Sequence, residues 1–293
     1  MTILQAIFLG LVQGLTEFIP VSSTAHLVFA ARVLDLYGGT DKVLQAEQTT
    51  ATIAVIQLGT LLAVLIYFAR DIVNILSAFI TDHIAWLRGQ NEPGRPKLSK
   101  DAWLGWLVII GSLPVGTIGL VLKKQIEGPF TKNLWVIATM MIAVGLLLMI
   151  AELVGKRDHG MDQLRVSDAL AVGFSQVLAL IPGSSRSGST IMGGLFAGLN
   201  RETAARFSFL LSIPAIAASG LLELKEAVTK LPSGSYGSLA VATVVSGVVG
   251  YASIWFLLRY LRTHSTGVFI VYRVIVGIAI LLGLTMGYMS ASI

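Results

Sequence analysis

Cysteine is absent from the 293-residue chain, and charged residues make up only 13% of it. Without cysteine the chain can form neither a disulfide framework nor a thiolate metal site. A soluble protein carries roughly 25% charged residues, whereas this chain combines its few charges with a mean hydropathy of +0.79. The sequence therefore predicts an integral membrane protein.

Lysine and arginine outnumber the acidic residues, giving a formal net charge of +5. No basic patch with interleaved aromatic residues accompanies that excess, so no nucleic-acid partner is expected. In a membrane protein the excess is typical of loops beside anionic lipid. The first apolar stretch lacks a basic flank and contains Gln5, Gln13 and Glu17, so no cleavable signal peptide is expected.

Six segments are long and apolar enough to span a bilayer, which takes about 20 residues. They are 49–69, 103–122, 133–151, 204–222, 238–261 and 268–290. Four shorter or more polar arms lie at 2–19, 24–37, 168–181 and 187–200. Three of the arms rise only about 21 Å as helices. We interpret the four arms as two re-entrant helical hairpins, although arm 2–19 alone is long enough to span.

The order of one hairpin and three spans occurs twice, over about 1–151 and about 168–293. A unit with an odd number of spans enters the membrane from opposite sides in its two copies, so this order predicts an inverted repeat with a site near the midplane. The expected fold is a single all-α membrane domain over residues 1–293. It is a polytopic helical bundle of about six spanning helices and two re-entrant hairpins.

Loop charges give an orientation. Segments 70–102 and 152–203 lie on one side of this scheme, and that side is the richer in Lys and Arg. The side with more Lys and Arg faces the cytoplasm, so both termini are expected outside. Segment 71–88 has mixed helical periodicity and is expected to lie along the membrane interface.

The two hairpin tips share the pattern Ile-Pro-x-Ser-Ser, at 19–23 and 181–185. A polar break at membrane depth is tolerated only where protein or a water-filled cavity surrounds it, and an ionisable residue there indicates a functional site. Glu17 and His26 flank the first tip, and Arg186 lies at the second. Together the tips predict a site for an anionic group.

Glu17 lies four residues after Gln13, so the two side chains share a face of a helix. An unpaired carboxylate at depth is strongly penalised. Glu17 is either neutralised by an Arg or Lys elsewhere, or it is a general base or the ligand of a hard cation. In the last case Gln13 supplies a neutral oxygen ligand.

Ser22, Ser23 and Thr24 precede an apolar arm, where a hydroxyl often only caps the helix. His26 lies one turn into that arm. It is either a satisfied core histidine or a group that donates or accepts a proton at neutral pH.

Segment 182–190 combines two glycines, five hydroxyls and one arginine. Glycines let backbone N–H groups approach a ligand closely, and a loop that opens a helix directs N–H donors at an anion. The planar guanidinium of Arg186 matches phosphate geometry. The alternative is a structural ion pair between Arg186 and Glu17, which would also bring the two loops into contact. The segment is neither a Walker A motif nor a dinucleotide fingerprint.

At these residues the sequence resembles the undecaprenyl-diphosphate phosphatase family, the bacitracin-resistance type of bacterial membrane enzyme. The family motif Glu/Gln-x-x-x-Glu running into Phe-x-Pro-x-Ser-Ser-x-x-His stands at 13–26, and Pro-Gly-x-Ser-Arg-Ser-x-x-Thr stands at 182–190. Gln13 takes the neutral option at the first position, which weakens a two-carboxylate metal site. Ala25 stands where the family usually has glycine.

The resemblance implies hydrolysis of undecaprenyl diphosphate to undecaprenyl phosphate and inorganic phosphate, assisted by Mg²⁺ or Ca²⁺. This reaction recycles the lipid carrier for peptidoglycan synthesis, and loss of the diphosphate explains bacitracin resistance. The implied enzyme is a homodimer in the bacterial cytoplasmic (inner) membrane, with its site open to the outer face.

The resemblance also assigns roles. Phosphoryl transfer needs charge neutralisation and positioning above all, so Arg186 and the loop amides are expected to hold the phosphates. Glu17 holds the cation or activates the nucleophile, and Gln13 supports the cation. Ser23 is the candidate nucleophile, with water as an alternative, and His26 is a proton donor or another candidate nucleophile. The remaining expected substrate contacts are Ser22, Ser184, Ser185, Ser187 and Thr190.

Two rival functions remain. A transporter or flippase with an inverted repeat would bind the same lipid without cleaving it. Another class of lipid phosphatase pairs a Ser-Arg loop with a histidine a few residues later, but here no histidine follows Arg186 until His264. Release of phosphate from a purified polyprenyl diphosphate separates enzyme from transporter.

Overall fold

The structure is a computed structural model that describes residues 1–39, 41–89, 98–122, 125, 133–231 and 233–291. The side chains of 42, 219, 221–230 and 233 are outside that description. Within it the chain forms eleven α-helices and no strands. They are α1 (Ile3–Phe18), α2 (Ser23–Val33), α3 (Lys42–Tyr67), α4 (Ala69–Leu87), α5 (Lys100–Val121), α6 (Leu134–Val154), α7 (Val166–Val177), α8 (Arg186–Phe196), α9 (Arg201–Lys230), α10 (Tyr236–Leu261) and α11 (Gly267–Thr285).

Five of these helices are long and apolar enough to cross a membrane: α5, α6, α10, α11 and the Val43–Tyr67 portion of α3. They fall on five of the six predicted spans, which confirms the prediction of an all-α, polytopic membrane protein. The sixth predicted segment, 204–222, lies within α9, and some of its side chains are outside the described residues. In the basic loop segment 70–102, residues 90–97 also lie outside the description.

Helix α4 occupies most of the segment that was expected along the interface. It buries no residue, and it packs against α5 through the rings and methyl groups that surround Gly105. It is not among the five apolar helices that could cross a membrane. Its exposed apolar side chains include Val73, Leu76 and Ile80, as an interfacial helix requires.

Four short helices form two hairpins. Helix α1 begins with a capping box between Thr2 and Gln5, and it ends directly before Pro20. A single 3₁₀ turn, Leu178–Leu180, extends α7 toward the second proline. At 11, 12 and 11 residues, α2, α7 and α8 reach only about 16–18 Å at 1.5 Å per residue. None of these three can cross a bilayer alone.

Each hairpin packs closely against one long helix. Helix α1 lies along α10, and α7 lies along α5. The contacts are so close that a Cβ on Gly14 would lie 2.9 Å from the Ser246 carbonyl oxygen. A Cβ on Gly173 would meet the backbone of Gly111 in the same way. Small residues at these crossings let the backbones approach, as in membrane helix packing generally.

The helix pairings remain equivalent when the two halves of the chain are exchanged. Helix α1 corresponds to α7, and α10 corresponds to α5. The contact between α1 and α10 is therefore matched by the contact between α7 and α5. Helix α3 corresponds to α9, and these two helices contact each other. Helix α6 corresponds to α11, and these two are also in contact. This arrangement brings the hairpin tips toward the middle of the bundle.

Candidate active site

The two hairpin tips contact each other. The guanidinium of Arg186, the first residue of α8, forms an ion pair with Glu17 in the last turn of α1. The hydroxyl of Ser187 donates to the carbonyl oxygen of Ile19 at 3.3 Å. Glu17 and Arg186 are 169 positions apart in the chain, and Ile19 and Ser187 are 168 apart, yet each pair is in contact. The ion pair that was one alternative for Arg186 is present, and it joins the two tips.

Glu17 is almost enclosed. Its side chain is 6% exposed, and that of Arg186 is 16% exposed. The second carboxylate oxygen of Glu17 accepts from Gln13 Nε2 at 3.0 Å, and the same nitrogen lies 3.2 Å from Thr60 Oγ1 on α3. Gln13 Oε1 is buried and has no hydrogen-bond partner among the described residues. The carboxylate is thus neutralised by Arg186 and held by Gln13, beside one unused oxygen.

The first tip turns sharply at Ser22. Its backbone has φ 78° and ψ 94°, in the left-handed region that non-glycine residues rarely occupy. The Ser22 hydroxyl is buried without a partner among the described residues, and it does not cap α2. Ser23 then begins α2 and is half-buried, while Thr24 is exposed. Strain of this kind collects at functional sites.

His26 is held through both ring nitrogens. Its Nδ1 lies 2.7 Å from the carbonyl oxygen of Ser22, and its Nε2 lies 2.6 Å from the hydroxyl of Tyr272 on α11. Because a carbonyl oxygen only accepts, Nδ1 carries the proton, and Nε2 of the neutral ring accepts from Tyr272. The two rings also stack, with centroids 5.6 Å apart. The imidazole is therefore fixed in one tautomer.

The second tip uses two left-handed residues. Gly183 has φ +92°, and a Cβ there would collide with the backbone of Ile137, so only glycine fits. Ser185 has φ 66°, and its hydroxyl caps α8 by accepting from the Gly188 N–H at 3.1 Å. The Ser185 hydroxyl also lies 3.2 Å from that of Ser187. The tip therefore presents the first turn of α8, with Arg186 at its start, to Glu17.

The other hydroxyls of this tip are buried. Thr190 donates to the carbonyl oxygen of Arg186 at 2.7 Å and contacts the Ser208 hydroxyl on α9, so it is engaged within the protein. The hydroxyls of Ser184 and Ser189 have no partner in the part of the chain that the structure describes. Buried polar atoms are nearly always paired, so such unused hydroxyls indicate a place for water, an ion or a ligand.

Arg273 on α11 is the main residue that the sequence reasoning missed. Its side chain is 0% exposed. It donates to the carbonyl oxygen of Pro20 at 3.2 Å on the first tip, and to those of Gly183 and Ser184 at 3.0 and 2.9 Å on the second. Two further bonds reach Met141 and Met140 on α6. One buried guanidinium thus holds both tips by their backbones.

A signal for Arg273 was present in the sequence. It is a charged residue inside the apolar segment 268–290, and an ionisable residue inside a span indicates a functional site. Tyr272, which contacts His26, is its immediate neighbour. The last helix therefore supplies two residues to a site that the sequence analysis had built from the hairpins alone.

A divalent cation at this site would have few protein ligands. Among the described residues no group of three or more Asp, Glu and His side chains could hold a metal. Mg²⁺ typically binds one or two carboxylates and completes its shell with water and substrate phosphates. Both Glu17 oxygens already accept bonds, from Arg186 and from Gln13 Nε2, so Glu17 and Gln13 Oε1 would fit such a cation once Arg186 turns to a substrate phosphate.

Fold and site together define a class: a multi-pass helical membrane protein with a buried Glu–Arg ion pair where two loops meet. The family model of the bacitracin resistance protein BacA matches residues 6–279, and the chain belongs to that family.

The chain is also similar to several curated proteins over nearly its whole length. An undecaprenyl-diphosphatase of Syntrophobacter fumaroxidans is 53% identical over 281 residues, covering 96% of this chain and 97% of that protein. The undecaprenyl-diphosphatase of Chloroherpeton thalassium is 47% identical over 300 residues, covering 99% and 100%. That of Chlorobaculum tepidum is 43% identical over 298 residues, covering 99% of both.

Proposed function

We propose that this protein hydrolyses undecaprenyl diphosphate to undecaprenyl phosphate and inorganic phosphate. The observation that carries the proposal is the contact between Glu17 and Arg186 at the meeting point of the two hairpin tips. The family membership and the names of the relatives support the same activity. The reaction would recycle the lipid carrier for peptidoglycan synthesis and thereby confer resistance to bacitracin.

Arg186 is the proposed phosphate ligand. Its guanidinium lies beside the first turn of α8, whose free N–H groups and positive dipole end favour an anion. A diphosphate carries more negative charge than the single carboxylate that now pairs with Arg186, and its oxygens match the planar fork. We infer that the terminal phosphate shares or replaces the contact with Glu17. The buried hydroxyls of Ser22 and Ser184 lie unused at the same tips.

Glu17 then becomes available for chemistry. Once phosphate takes the guanidinium, the carboxylate is released from its ion pair in a nearly enclosed place. A divalent cation held by Glu17 and Gln13 would offset the charge that develops on the phosphate oxygens. Gln13 Nε2 donates to the Glu17 carboxylate and also contacts the Thr60 hydroxyl, so the amide holds the carboxylate in place. We propose Mg²⁺ or Ca²⁺, because both prefer oxygen ligands.

We assign the attack on phosphorus to Ser23. Nδ1 of His26 donates its proton to the Ser22 carbonyl, and the lone pair of Nε2 accepts from the Tyr272 hydroxyl, so His26 has no free lone pair for attack. The Ser23 oxygen would bond to the terminal phosphorus as the bridging P–O bond breaks, and undecaprenyl phosphate would leave. The proton of the Ser23 hydroxyl passes to Glu17. Water then cleaves the serine phosphate and releases inorganic phosphate, so one water is consumed per turnover.

His26 is the proposed proton donor to the leaving oxygen. For this role Nε2 would carry a second proton: Nδ1 stays bound to the Ser22 carbonyl, Nε2–H donates to the Tyr272 hydroxyl, and that hydroxyl passes its own proton to the leaving oxygen. Arg273 acts as a positioning residue, because its guanidinium donates to backbone carbonyl oxygens of both tips.

The membrane setting belongs to the proposal. The undecaprenyl tail requires a site that opens to lipid, and the short hairpins keep the tips within the bundle. The symmetric helix pairings support an inverted repeat over about 1–151 and about 168–293. The cytoplasmic membrane, an opening to the outer face and a homodimer are further predictions. Accessibility of single introduced cysteines, in a chain with none of its own, tests the orientation, and light scattering tests the dimer.

The proposed activity is tested with purified protein and undecaprenyl diphosphate. The expected result is stoichiometric release of inorganic phosphate by the native protein and none above background by Arg186→Ala. Arg88→Ala is the matched control, because Arg88 is an exposed residue at the end of α4. Binding of the lipid without phosphate release would support the transporter and contradict the enzyme.

A further inference from the structure

A polar cavity lies where the ends of α3 and α10 meet the starts of α4 and α9. Its volume is about 140 Å³, many times the roughly 10–15 Å³ that is needed to hold one water on the same measure. Three arginines line it, Arg206, Arg259 and Arg262, together with the carboxylates of Asp71 and Glu202. None of the residues assigned to phosphate hydrolysis lines this cavity.

Two of the arginines already have partners. Arg206 pairs with Asp71 at 2.6 Å, and Arg262 pairs with Glu202 at 2.7 Å. These pairs are open to solvent, with the two arginine side chains 37% and 62% exposed. Exposed pairs contribute little stability. They can therefore share their guanidinium groups with another anion at small cost.

Arg259 carries the excess charge. It is exposed and lies over the ring of Trp255, 5.7 Å from the centroid, and it makes no ion pair with a described carboxylate. Three guanidinium groups and two carboxylates leave the lining with one net positive charge. Because guanidinium forks match phosphate oxygens, the chemistry of the lining selects a phosphate group.

The surroundings of the cavity indicate where such a phosphate would come from. Trp255 is 53% exposed, one helical turn before Arg259 on a helix that is apolar enough to cross a membrane. Aromatic residues at such a position sit at the level of lipid head groups. Basic pockets between membrane helices bind anionic head groups.

We propose that this cavity binds a phosphate group, with a phosphomonoester lipid head group as its favoured source. Arg259 is the principal ligand, Arg206 and Arg262 share the charge, and the acyl chains pass over Trp255. The site is separate from the proposed catalytic site, so its test does not depend on whether the protein hydrolyses undecaprenyl diphosphate.

The test uses thermal unfolding of the purified full chain in detergent. Dioctanoyl phosphatidic acid, inorganic phosphate and dioctanoylglycerol are titrated separately against the native protein, Arg259→Gln and Arg88→Gln. We expect phosphatidic acid to raise the melting temperature of the native protein with a saturable dependence. Arg259→Gln should weaken the apparent affinity about tenfold, because it removes one charge-assisted contact, and Arg88→Gln should leave it unchanged.

The outcomes separate the sources. Stabilisation by inorganic phosphate over the same concentration range, weakened equally by Arg259→Gln, supports the site with free phosphate as its ligand. Equal stabilisation by dioctanoylglycerol, identical affinities in Arg259→Gln and the native protein, or no stabilisation by either phosphate overturns the proposal. Arg259→Gln should release phosphate from undecaprenyl diphosphate at the native rate when no phosphatidic acid is added, which checks its fold.

Discussion

The hydroxyl of Tyr272 lies 2.6 Å from Nε2 of His26, although the two residues are 246 positions apart. This contact ties the last helix to the first hairpin at a side chain that the sequence analysis had considered alone. It also defines what His26 can do, because the other ring nitrogen is bound to the Ser22 carbonyl.

Tyr272→Phe should lower kcat for phosphate release about 100-fold, the lower end of the range for one general acid–base group. The phenylalanine ring keeps the stacking on His26 and removes only the hydroxyl. KM should change little. If Tyr272 and His26 act as one unit, adding Tyr272→Phe to His26→Gln should cost little more than His26→Gln alone. Fully additive losses would contradict the shared role.

Arg273→Met should unfold at a markedly lower temperature than the native protein. It leaves the buried carbonyl oxygens of Pro20, Gly183 and Ser184 without their donor, and each unsatisfied buried group costs about 1–3 kcal/mol. Arg273→Lys should recover only part of the stability, because a lysine lacks the planar fork. Native-like melting of Arg273→Met would show that the tips do not depend on this residue.

Gly183→Ala should lower both the stability and the phosphate release. Its φ of +92° and the nearby Ile137 backbone leave no room for a Cβ. The matched change is Gly116→Ala on α5, where a Cβ meets nothing within 4 Å. This control should stabilise the protein by about 0.5–1 kcal/mol, as alanine does in helix interiors. The same effect at both glycines would contradict the role assigned to the second tip.

Gln13→Glu should reduce the concentration of Mg²⁺ or Ca²⁺ needed for half-maximal phosphate release. When no cation is bound, the new carboxylate and Glu17 repel each other. When a cation is present, the two carboxylates bind it together. Chelation by EDTA should stop turnover in both proteins, and added Mg²⁺ should restore it. Activity that survives EDTA in the native protein and in Glu17→Gln would contradict the cation assignment.

Most of the fold follows from the sequence because spanning a bilayer requires long apolar helices. The predicted span 103–122 became Lys100–Val121, and 238–261 became Tyr236–Leu261. The predicted arms 2–19 and 187–200 became Ile3–Phe18 and Arg186–Phe196. Proline and the serine pairs mark the tips locally, so their boundaries needed no tertiary information.

The site was predictable only in part. The ion pair of Glu17 and Arg186 could be expected, since a buried carboxylate needs a cation. The contacts of Tyr272 and Arg273 could not be placed, because which face of α11 meets the tips depends on the packing of α11 against α6. Nor did the sequence separate the engaged hydroxyl of Thr190 from the unused one of Ser184, as that difference depends on Ser208 of α9.

The central claim is that Glu17 and Arg186 form one phosphate-processing unit. The direct measurement is kcat/KM for phosphate release from undecaprenyl diphosphate by the native protein, Glu17→Gln, Arg186→Gln and the double variant, each checked by thermal unfolding. Each single change should reduce kcat/KM by about 100- to 1,000-fold, and the double change by little more than the larger single loss. Near-native kcat/KM in either folded single variant would contradict the claim.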